Sequence, residues 1–94
     1  MSADKELEQA AKTYRERGKI YKDNYLRVGK ALQELFPDGI SLKTAEDHTR
    51  YHIFSWMVGK LSRYAVQWEK GHPDSVHDLS VYAAMLAAYD KEKG

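Results

Sequence analysis

The sequence predicts an all-α domain, a four-helix bundle-like fold whose last two helices form a hairpin. Three observations predict it. Apolar residues recur at i, i+3, i+4 and i+7 in successive segments, the repeat of one helical face. Chain-breaking residues divide those segments at Gly18, at Pro37-Asp38-Gly39 and at Gly71-His72-Pro73. No segment alternates apolar and polar residues for long enough to argue for a sheet.

A first helix is expected from Asp4 to Arg17. Leu7, Ala10, Ala11 and Tyr14 form its apolar stripe, and charged residues fill the rest. Asp4 is its expected N-cap, and Gly18 ends it in a left-handed conformation. The segment Lys19-Ile20-Tyr21-Lys22 leads into a second helix from Asp23 to Phe36, with Asp23 as N-cap. Tyr25, Val28, Leu32 and Leu35 form its stripe. Gly29 inside it costs about 0.5–1 kcal/mol relative to alanine, and close approach of another helix is the expected compensation.

Pro37-Asp38-Gly39 is a turn, with φ held at proline and free at glycine. The third helix begins near Thr44, where Thr44-x-x-Asp47 resembles a capping box, and runs to Trp68 or Glu69. Its expected inward face is Ile53, Trp56, Met57, Leu61, Tyr64 and Trp68, with Lys60 on the same face. Gly59 is expected to admit a close neighbour or a bend. Gly71 caps this helix, and the fourth runs from Asp74 or Ser75, either as N-cap, to about Asp90. Leu79 to Ala88 leaves that helix almost without a polar face, as expected when two sides are covered. Homo-oligomerisation through the fourth helix is therefore expected.

With 94 residues the chain suffices for one domain, 1–94, its first and last few residues frayed. Fifteen Lys and Arg against fourteen Asp and Glu give a net charge of +1, which argues against binding extended nucleic acid. The absence of cysteine removes disulfides and thiolate chemistry. No run approaches the about 20 apolar residues of a membrane span, and the N-terminal residues do not read as a signal peptide. A cytoplasmic, soluble protein is expected.

The informative stretch is Trp56 to Met85. Lys60 and Arg63 sit one helical turn apart, and Asp74 and Asp78 lie just past the hairpin turn. Charges among apolar residues are costly unless paired. One reading is a structural ion pair between Lys60 or Arg63 and Asp78. The other is a phosphate-accepting pocket, with arginine as a two-donor fork and lysine as a point charge. Asp74 and Asp78 at i, i+4 are also a minimal carboxylate pair for Mg²⁺. His48 and His52 share that spacing, but no third zinc ligand stands out. Seven tyrosines and two tryptophans offer faces for stacking a base. Tyr21 and Asn24 stand at the start of the second helix, where backbone N–H groups favour anions.

Three segments carry a resemblance: E-R-G-K-I-Y-K-D-N-Y (Glu16 to Tyr25), M-V-G-K-L-S-R-Y (Met57 to Tyr64) and D-S-V-H-D-L-S-V-Y-A-A-M-L (Asp74 to Leu86). Together they resemble a group of small uncharacterised phage proteins, which are in turn similar to MazG-type all-α nucleotide pyrophosphohydrolases. Such enzymes hold Mg²⁺ with E-x-x-E on one helix and E-x-x-D on the next. Here Lys60-x-x-Arg63 replaces the first motif and Asp74-x-x-x-Asp78 the second. Two cations disfavour a metal beside two carboxylates and suit direct phosphate binding.

The resemblance therefore implies a phage protein, acting in the cytoplasm of an infected bacterial host. It is expected to bind and sequester a nucleotide or nucleotide-derived cyclic immune signal without cleaving it and with no cofactor. Lys60 and Arg63 would contact phosphate, Asp78 would orient them, and Tyr21, Asn24 or Tyr64 would meet the base or ribose. Two alternatives stand beside it. One is a Mg²⁺-dependent pyrophosphohydrolase using Asp74, Asp78 and Glu46 or Asp47. The other is a structural or partner-binding bundle whose charges serve packing alone.

Overall fold

The computed structural model describes residues 2–93. Four α-helices follow one another: α1 (Ala3–Tyr21), α2 (Asn24–Leu35), α3 (Ala45–Val66) and α4 (Pro73–Lys93). There is no strand among the described residues. The third helix is the hub. It packs extensively against α4, its hairpin partner, and against α2, and touches α1 at a small contact.

The first helix is longer than its sequence suggests. Ser2, not Asp4, is the N-cap, its Oγ accepting from Lys5 N–H at 3.4 Å. Gly18 lies inside the helix, which continues through Lys19, Ile20 and Tyr21. Helical residues on both sides, Lys19 to Tyr21 after it, outweigh the modest propensity cost of one glycine. The chain breaks instead at Lys22 and Asp23, both left-handed, with φ 49° and 57°. Lys22 N–H donates to the Gly18 carbonyl at 3.0 Å and closes α1. Asp23 precedes α2, as expected, but its side chain makes no capping hydrogen bond.

At the other boundaries local chemistry decides the geometry. Gly39, at φ 83°, completes the Pro37 turn and donates to the Phe36 carbonyl at 3.0 Å. The Thr44 capping box forms: Asp47 N–H donates to Thr44 Oγ1 at 3.0 Å, and Asp47 Oδ2 accepts from Thr44 N–H at 3.3 Å. Gly71, at φ 74°, donates to the Gln67 carbonyl at 2.7 Å and reverses the chain. Pro73 opens α4 rather than preceding it, because a first-turn position needs no N–H. Asp74 and Ser75 thus fall in the first turn, and Ser75 N–H donates to the His72 carbonyl. The helix continues past Asp90 to Lys93; Met1 and Gly94, where fraying was expected, lie outside the described residues.

The core is small. Ile53 and Val58 are the buried apolar side chains among the described residues, joined by buried Ser62 and Ser75. Of the expected inward face of α3, Ile53 is inside, whereas Trp56, Leu61 and Trp68 are exposed, Trp68 by 70%. Apolar residues surround α3, so their periodicity does not select one side. Burial is set by where the neighbouring helices press. Around this core Phe36 meets Phe54 edge-on at 5.3 Å, and Trp56 meets Tyr82 at 5.0 Å across the hairpin. Gly29 and Gly59 have no close neighbour within reach of an added Cβ, so the expected close approach does not occur at either.

Candidate functional site

The six residues singled out from sequence fall into two groups. On the α3–α4 face, Lys60 Nζ lies 3.0 Å from Asp78 Oδ2. The antiparallel return of α4 brings Asp78 beside the C-terminal third of α3, as the hairpin geometry demands. Tyr64 stands further along α3, edge-on to Trp68 at 6.0 Å, with its hydroxyl beside Gly71.

The second group is Tyr21, Asn24 and Arg63, and these do converge. They line a groove of about 600 Å³ between one face of α1, from Glu6 to Tyr21, the start of α2 and Arg63 of α3. The Arg63 guanidinium sits over the Tyr21 ring, 4.9 Å from its centroid. That contact holds a planar cation at the groove wall, with its N–H fork in the guanidinium's own plane. Asn24 Oδ1 is shielded from solvent and has no hydrogen-bond partner.

Three further lining residues, Tyr14, Arg17 and Tyr25, were not assigned to a site from sequence. The Tyr14 hydroxyl lies 3.4 Å from that of Tyr25 and 3.5 Å from Asp23 Oδ1. The hydrogen bond with Tyr25 raises the Tyr14 phenol above its ordinary value, and the charges of Tyr25 and Asp23 add to it. Tyr14 therefore remains a neutral donor throughout the physiological range. The available signal was spacing: Tyr14, Arg17 and Tyr21 are i, i+3 and i+7, one face of a helix that passes through Gly18. Placing the helix end at Gly18 separated them. Gln67 Nε2 fastens this corner by donating to the Ile20 carbonyl at 3.2 Å.

The carboxylates of the enzymatic alternative are dispersed. Asp78 pairs with Lys60, Asp47 caps α3, and Asp74 stands exposed in the first turn of α4. No group of three His, Asp or Glu side chains among the described residues is arranged to hold a metal ion. His48 Nδ1 is 2.8 Å from the Thr44 carbonyl, and His52 packs on Trp56 at 4.0 Å. Tyr89 has a shielded hydroxyl without a partner. Desolvation raises its phenol, and the charges of Glu46 and Asp47 raise it further against Arg50. No helix of the described residues is long and apolar enough to cross a membrane.

Against known proteins, the chain matches no protein-family model, no curated protein and no solved structure.

Proposed function

We propose that this chain binds a nucleotide or a nucleotide-derived cyclic signal and sequesters it without cleavage. The observation that carries the reading is the groove in which Arg63 lies over Tyr21 beside Arg17, Tyr14, Tyr25 and Asn24. Its volume is within the roughly 300–1,000 Å³ range of small-ligand sites. Two guanidinium groups suit phosphate oxygens, tyrosine faces suit a base, and an amide adds hydrogen bonding. Glu6 and Asp23 also line the groove and restrict how many phosphates it accepts. The resemblance to small phage proteins supports an action inside an infected bacterial cell, and self-association through α4 belongs to the same proposal.

Within this reading the centre of the site moves from Lys60 to Arg63. Lys60 and Asp78 neutralise each other on the α3–α4 face, and that pair is the observation favouring the second reading, a helical bundle whose charges serve packing.

The test is calorimetry with a panel of mononucleotides and cyclic dinucleotides, with and without Mg²⁺, followed by product analysis. Metal-independent binding without turnover is expected. Arg63→Ala removes a charge-assisted contact of about 1.5–3 kcal/mol, a 10- to 150-fold loss of affinity. Lys60→Ala leaves affinity within a factor of about three, since its loss of under about 0.7 kcal/mol is that of a residue outside the site. Magnesium-dependent release of pyrophosphate, or no binding by any member of the panel, overturns the proposal.

A further inference from the structure

The chain exposes far more surface than its mass requires. Its accessible surface is 7499 Å², whereas a compact monomer of this mass exposes about 5,600 Å². The radius of gyration, 16.3 Å, likewise exceeds the value of about 12 Å for a compact domain of this length. The excess, about 1,900 Å² per chain, is more than the roughly 800 Å² each partner loses in a standard interface. Doubled across two chains, it falls within the range of obligate homodimers, about 2,000–5,000 Å² in total.

Much of that surface belongs to α1, which has no buried residue and whose polar and ring contacts with the rest of the chain begin at Tyr14, leaving its N-terminal half outside them. Leu7 is 68% exposed and Tyr14 56%. Leu7, Ala11, Tyr14, Gly18 and Tyr21 follow one another at steps of four, three, four and three, the seam of a coiled coil. The two halves of the helix differ in sign. Residues 3–11 carry Asp4, Glu6 and Glu8 against Lys5, whereas residues 12–21 carry Lys12, Arg15, Arg17 and Lys19 against Glu16.

We propose that α1 pairs antiparallel with α1 of a second copy of this chain, about a two-fold axis near Tyr14. This arrangement sets the acidic half of each helix along the basic half of the other, while a parallel pair would align like charges. It places Leu7 opposite the partner's Tyr21. It also brings Lys12 near the partner's Glu16 and Glu6 near the partner's Lys22. The interface is isologous, as a two-fold requires. It goes beyond the ligand reading and shares part of its surface, since Tyr14, Gly18 and Tyr21 line the groove; Leu7 and Ala11 do not, so substitutions there test the pairing without touching the groove's lining.

The test uses the full chain. Light scattering or sedimentation is expected to give a mass at least twice 10.9 kDa. Leu7→Glu combined with Ala11→Glu lowers that mass at least twofold with helical circular dichroism retained, since neither residue is buried in the single chain. The chain has no cysteine, so single cysteines report the orientation. Tyr14→Cys forms an intermolecular disulfide on mild oxidation. Leu7→Cys does not, because the antiparallel pairing separates the two copies of residue 7 by about 21 Å. A monomeric wild-type chain overturns the proposal. So does an oligomer unchanged by the two glutamates, or cross-linking of Leu7→Cys as efficient as that of Tyr14→Cys. Should the glutamates reduce helicity, the two cysteine variants decide the question alone.

Discussion

Breaking the Lys60–Asp78 pair from either side should cost different amounts. Lys60 keeps 17% of its side-chain surface exposed and Asp78 keeps 41%. Lys60→Met keeps the aliphatic stem and leaves a carboxylate that water reaches readily, so the loss should resemble that of a surface pair, about 0.5–1 kcal/mol. Asp78→Ala leaves an ammonium largely shut from solvent. Its desolvation costs about 1.5–3 kcal/mol, and the better helix propensity of alanine returns about 0.5 kcal/mol. A net loss of about 1–2 kcal/mol follows, with a coupling near 1 kcal/mol in the double-mutant cycle. The assay is urea unfolding at one fixed chain concentration, because association would otherwise shift the midpoint. A larger loss for Lys60→Met than for Asp78→Ala, or a coupling below about 0.3 kcal/mol, would refute the reasoning. It would mean that the pair, as seen in the single chain, is not what holds these two charges in solution.

Two other perturbations act on the α1–α2 corner. Lys22→Gly relieves a left-handed residue that costs about 1–2 kcal/mol and gives back about 0.5–1 kcal/mol of chain entropy. A gain near 0.5–1 kcal/mol is expected, visible as a rise of about 2–8 °C in a thermal scan. Raising the pH tests the tyrosines. The folded state holds the protons of Tyr14 and Tyr89 more tightly than the unfolded chain does. Their contribution is therefore complete below the ordinary tyrosine value of about 10 and is lost as pH rises through the folded values. The melting temperature should fall above about pH 10, and by less in a variant with Tyr14→Phe and Tyr89→Phe.

What the sequence made legible was whatever rests on strong local chemistry. Pro37-Asp38-Gly39, Gly71 and the Thr44–Asp47 capping box all form as their residue types require. The Lys60–Asp78 pair follows from the hairpin and the antiparallel return of α4. The rest depended on competition between weak effects. Gly18 looked like a helix stop, but a glycine inside a helix is only mildly unfavourable. The true break uses Lys22 and Asp23 in a conformation that their side chains do not announce. That displacement hid the groove, since Tyr14, Arg17 and Tyr21 share a face only if the helix runs on. On α3 the apolar residues lie all round, so Leu61 and Trp68 could not be told from Ile53 and Val58 by period.

The hub position of α3 also divides the molecule energetically. The extensive helix–helix contacts all use α3, so α2 and α4 share one foundation, and a defect at Ile53 or Val58 loosens both together. The first helix stands outside that cooperative unit. Arg63 on Tyr21, Gln67 on the Ile20 carbonyl and Tyr14 on Tyr25 and Asp23 are local tethers, and opening them exposes no core. Opening an arm of this kind costs the body little, as expected of the least stable segment of a domain. Changes in residues 3–21 therefore cost the body of the fold little, so Tyr14, Arg17 and Tyr21 are constrained by the groove rather than by the core, while α3 must satisfy several neighbours with each residue it changes.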